Sequence, residues 1–219
     1  DPANAGGAGL IDRVKNILLQ PRTEWEVIAS ESTTVGGLFT GYAAILALLP
    51  VVGGIVAMGL LGISAGGMGS LGGAGLSIGL SAVVAMTVIG YVVGLAVLWL
   101  MSFIVNAVSP SFNGKSEMVQ ATKLMTYSST PNWIVGLISP FIPIVGSLLG
   151  LGAIAYAVYL IYLGLKPVLG VPQEKVAGFT VVIVLIYIVL SLVVGGIIAA
   201  TLFSTFFCGA MMAGAMAGA

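Results

Sequence analysis

Residues 77–108 read SIGLSAVVAMTVIGYVVGLAVLWLMSFIVNAV, a stretch with no charged side chain and with Trp99 and Asn106 toward one end. A helix needs about 20 predominantly apolar residues to cross the hydrocarbon core of a bilayer, so this segment is long enough to span. The same reading extends outward. No Asp, Glu, Lys or Arg occurs from residue 32 to 114, from 124 to 165, or after Lys175. Only 6% of the 219 residues are charged and 59% are hydrophobic, whereas soluble domains devote about a quarter of their residues to charge. The expected fold class is all-α: a polytopic membrane helical bundle of five transmembrane helices with an N-terminal amphipathic interfacial helix.

Composition also narrows the chemistry. Seven basic and seven acidic residues cancel, which leaves no basic excess for nucleic acid, so nucleic acid is not an expected partner. With no His and a single Cys, Cys208, neither the usual metal ligand sets nor an internal disulfide is expected, and no cofactor is assigned. No nucleophile has a His base, and Glu24 and Glu26 point to different helix faces. No catalytic residue is assigned and the chain is not expected to be an enzyme.

Along the chain, residues 1–9 are small and read as a flexible or processed tail, not a signal peptide. Leu10, Ile11, Val14, Ile17 and Leu18 then recur at helical spacing, with Asp12, Arg13, Lys15 and Asn16 on the other side. Pro21 ends this amphipathic helix. A second short segment has Thr23 and Glu26 at capping-box spacing beside Trp25, Val27 and Ile28. Residues 10–33 are therefore read as a cytosolic collar lying in the interface.

The membrane domain is placed at 34–207. Its first span is expected over 34–62, capped by the Ser/Thr cluster at 32–34 and kinked at Pro50. A Gly-rich connector over 64–76 leads to the second span, and residues 111–130 are expected to form another interfacial helix. Pro140, Pro143 and Gly146 leave two readings of the next segment: a short third span over 132–144, or a re-entrant hairpin. A fourth span over 147–165, a fifth over 178–203 and a small-residue tail at 208–219 complete the chain. All seven Lys and Arg then fall on one side, which favours five crossings with the N-terminus in the cytosol and the C-terminus outside.

The motifs are modest. Gly67, Gly69 and Gly72 match dinucleotide-loop spacing but lack the preceding strand and the acidic partner. Gly37 with Gly41, Gly90 with Gly94, and Gly146 with Gly150 have GxxxG spacing and are read as helix-packing positions. The polar span residues, chiefly Tyr42, Thr87 and Asn106, form no evident substrate cage. Leu18, Pro21, Trp25, Met118 and Tyr127 are the expected partner or interface surface.

Four blocks carry a family likeness. LIDRVKNILLQPRTEWEVIASE with TVGGLFTGY (including Pro21 and Trp25 of a Pro-x-x-x-Trp signature), YSSTPNW at 127–133, the hairpin IPIVGSLLGLGAIAYAVYLIYLGL at 142–165, and KPVLGVPQEKVAGFTVVIVL at 166–185 together resemble bacterial members of the Yip1 family. The resemblance implies a five-span integral protein, in a bacterial inner membrane, with a cytosolic N-terminus. Eukaryotic relatives bind prenylated GTPases, but their DLxGP-type motif is absent, so that partner is not carried over. The expected partners are the lipid bilayer and other membrane proteins. The expected role is a noncatalytic scaffold or accessory subunit; the alternative is a transporter or channel for a small or lipidic solute.

Overall fold

The computed structural model describes residues 9–60 and 80–217, so residues 1–8, the 64–76 connector and its Gly67, Gly69 and Gly72 lie outside the described residues. Among those described, all regular structure is helical and four helices are long and apolar enough to cross a membrane: Val35–Ala57, Val84–Phe112, Ile144–Leu169 and Gln173–Thr201. A helix satisfies its backbone groups within the segment, which hydrocarbon demands.

Helices α1 (Leu10–Leu19) and α2 (Pro21–Ser30) precede the first span. Pro21 opens α2, where its missing N–H costs nothing. The expected capping box is not formed, because Thr23 Oγ1 donates to the Gln20 carbonyl at 3.0 Å. Thr34 does cap the span, accepting from the Gly37 amide at 3.0 Å. The span itself alternates α3 (Val35–Leu38), a π-helical turn over Phe39–Ala43, α4 (Ala44–Gly54) with Pro50 inside it, and a second π turn over Ile55–Leu60. Helix α5 (Leu80–Val108) is the second span and runs into a 3-10 turn over Ser109–Phe112. Trp99 and Phe103 stack on its exposed side at 6.1 Å, the placement expected of aromatic residues at a membrane boundary.

Two expectations change here. Residues 111–130 do not form an interfacial helix. Helix α6 (Met118–Ser128) is buried at every position from Ala121 to Ser128, and a helix lying on a surface would keep one face wet. It packs between α5 and α8 (Pro143–Leu169). The segment expected to span over 132–144 is instead α7 (Thr130–Ile138) followed by a 3-10 turn over Ser139–Phe141. At 1.5 Å per residue α7 is only about 14 Å long, so the count of five crossings is approximate.

Helix α7 lies chiefly against α4 and α8. Its approach to α4 is set by a reciprocal pair of glycines: a methyl on Gly53 would sit 2.5 Å from the Leu137 carbonyl oxygen, and one on Gly136 would sit 2.7 Å from Cγ of Pro50. Gly170, at φ +67°, ends α8 in the left-handed region that favours glycine. The Lys115 amide bonds the Leu169 carbonyl just before it at 2.7 Å, so the 111–117 loop and the end of α8 meet. The chain divides into two units, residues 1–180 and 181–219. The second consists of the greater part of α9 (Gln173–Ala217), whose helix continues through the expected small-residue tail to Ala217.

Candidate functional site

The site grows from the two short helices that precede the first span. On α1, Arg13 and Ile17 are one turn apart and both buried; on α2, Glu24, Trp25 and Ile28 are buried. Arg13 was expected on a wet face. It is instead drawn inward by two carboxylates, pairing with Glu24 through one guanidinium nitrogen and with Glu31 through another. Such a fork suits Arg, whose planar donors serve two acceptors at once. The guanidinium carbon also lies 5.7 Å from the centre of the Tyr127 ring, within cation–π range.

Lys123 reaches the same cluster from α6. Its Nζ donates to the carbonyls of Ile28 at 2.8 Å and Glu31 at 2.6 Å. These belong to the end of α2, where carbonyls lack intrahelical partners and a cation meets the negative end of the helix dipole. Burial holds the Lys123 ammonium below the usual lysine range, against the opposing pull of Glu31. Burial opposes the Arg13 charge too, but the Glu31 hydrogen bond and the nearby carboxylates outweigh it and raise Arg13. Burial pushes the Tyr127 phenol up.

Tyr127 is the hub. Its ring meets Trp25 edge-on at 6.4 Å and Tyr42 at 4.7 Å. Tyr42, in the π turn of the first span, shares a 2.9 Å hydrogen bond with Thr130 Oγ1. Between α1, the 30–33 linker, the first turns of the span and Tyr127 lies a cavity of about 490 Å³. A second, more apolar groove of about 260 Å³ lies between α4 and α5 beside Trp133.

Of the residues expected to form a partner surface, Trp25 and Tyr127 are 0% and 7% exposed and lie in the core. Leu18, Pro21 and Met118 are half-buried; the Leu18 carbonyl accepts from Tyr156 on α8 at 2.8 Å. The exposed apolar residues of this region are Ile11 (79%), Leu19 (68%) and Val27. The glycines sort by position. Gly146 is pressed against the Ser139 backbone, Gly37 meets only the Thr33 and Thr34 hydroxyls, and a methyl on Gly41, Gly90, Gly94 or Gly150 would meet nothing within 4 Å. Gly90 and Gly94 line the apolar groove with Thr87. Asn106 lies beside Ser116, whose hydroxyl reaches its carbonyl at 3.3 Å.

Sequence reasoning missed Arg13, Glu24, Glu31 and Lys123 as one unit. No local pattern reveals it, since partners lie 11, 18 and more than 90 positions apart. The one available signal was Lys123, the lone charged residue of the α6 segment.

Compared with known proteins, residues 15–195 match the sequence model of one family, the Yip1 domain. No curated protein and no solved structure matches.

Proposed function

The chain belongs to the Yip1 family of membrane proteins, and on that footing we propose that it acts as a noncatalytic scaffold or accessory subunit, with α1 as the face it offers to another membrane protein. The observation that carries this reading is the outward row Ile11, Lys15 and Leu19, spaced one turn apart on a helix whose opposite face is locked to the bundle. Two large apolar side chains on a rigid helix give a partner something to bury, and preorganisation keeps the ordering cost low. The cations Arg13 and Lys123 are occupied by partners within the protein. The long charge-free runs of the spans supply no ionisable relay of the kind ion and proton paths use. The proposed seat is an inner membrane with the basic segments in the cytosol.

The test is co-purification of the full chain in mild detergent, comparing wild type with the Ile11→Asp, Leu19→Asp double variant. Both positions are exposed, so the fold should survive while the co-purifying proteins are lost. An unchanged set, or saturable solute flux in reconstituted vesicles that Asn106→Ala abolishes, would overturn the proposal.

A further inference from the structure

The cavity of about 490 Å³ lies where the 30–33 linker meets the capped start of the first span, and the end of a crossing helix is where the headgroup layer begins. Its walls are of two kinds. Arg13, Glu31, Ser32, Thr33 and Tyr127 give a polar side, and Gly37 and Gly41, one turn apart on the span, give a smooth side. A methyl on Gly41 would touch nothing within 4 Å, so this wall is unobstructed at Gly41.

Tyr127 shows that the polar side is incomplete. The residue is more than nine-tenths buried and lines the cavity, and its hydroxyl, which makes no hydrogen bond among the described residues, is not one of the fully buried polar atoms and so keeps some contact with solvent. A hydroxyl so placed can donate to a ligand oxygen in the cavity. Glu31 is the other open group. One carboxylate oxygen holds Arg13, while the side chain keeps 27% of its exposure.

Charge decides the ligand class. Arg13 and Lys123 are balanced by Glu24 and Glu31, so the cluster carries no net charge and gives an anionic headgroup no general attraction. A zwitterion fits both halves. From this we infer that the cavity is a headgroup site for an aminophospholipid. The primary ammonium donates to the Glu31 carboxylate, the phosphate accepts from Tyr127 and from the Ser32 and Thr33 hydroxyls, and one acyl chain follows the Gly37–Gly41 face. A quaternary ammonium has no N–H to offer Glu31 and fits less well. The site stands independently of any partner on α1.

Native mass spectrometry of the full chain in detergent tests this, with phosphatidylethanolamine, phosphatidylcholine and phosphatidylglycerol of identical acyl chains as probes, and soluble glycerophosphoethanolamine as a fourth. Phosphatidylethanolamine should be retained best. Tyr127→Phe should lower its retention about fivefold, the worth of one hydrogen bond. It should leave lipid-free melting unchanged, because the hydroxyl has no protein partner to lose. Gly41→Leu, which fills the smooth wall from an exposed position, should also reduce retention. Equal retention of all three lipids, or wild-type retention by both variants, would overturn the site. Binding of glycerophosphoethanolamine as tight as that of the lipid would overturn its assignment to lipid and mark a site for free phosphate esters.

Discussion

Nζ of Lys123 donates to the carbonyl oxygen of Ile28 across 2.8 Å, so that a side chain from α6 closes the C-terminus of α2. The contact joins the helices before the first span to one deep in the bundle. It also turns a cation, costly to bury, into a cap.

Replacing Lys123 with Met should therefore lower the melting temperature in detergent, by an amount equivalent to about 1–3 kcal/mol, since two carbonyls lose their donor. The effect should depend on pH in a defined sense. The folded protein holds the Lys123 proton less tightly than the unfolded chain does, so the native state binds fewer protons between its lowered value and the usual 10.5. Stability contributed by Lys123 then rises with pH through that window. The gap between wild type and Lys123→Met should widen from neutral pH toward about pH 10; a gap that narrows would show that burial does not penalise the ammonium.

The glycines give a second prediction with a built-in contrast. Gly53→Ala places a methyl against the Leu137 backbone and must separate α4 from α7, whereas Gly90→Ala places one in open space. The first should cost about 1–3 kcal/mol, as overpacking does. The second should be neutral or slightly stabilising, because alanine has the better helix propensity. Equal melting of the two variants would mean that α4 and α7 do not meet at Gly53.

Orientation is tested through Cys208, the only thiol. It follows Gln173 by more than the ~20 residues of one crossing. If the basic segments face the cytosol, a membrane-impermeant maleimide should label Cys208 in intact cells. Labelling only after the membrane is opened, with normal labelling in detergent, would reverse the orientation.

Much of this architecture was legible in the sequence because a bilayer imposes a one-dimensional constraint. A run such as 77–108, without charge and longer than a crossing, has almost no alternative to a helix, and Pro21 separates α1 from α2 through purely local chemistry. The family likeness was legible too, through its ordered blocks. The site was not. Arg13 on an amphipathic helix looks wet, and only the fold brings Glu24 and Glu31 to it and Lys123 to the end of α2. GxxxG spacing likewise pointed to Gly90 and Gly94, while the helices meet at Gly53 and Gly136, which have no such spacing to each other. Hydropathy is summed along one segment, so the order of residues is enough to settle which segments are apolar enough to cross. Pairing of charges and close approach of backbones depend on which surfaces of distant segments face one another, and those relationships arise only when the helices pack.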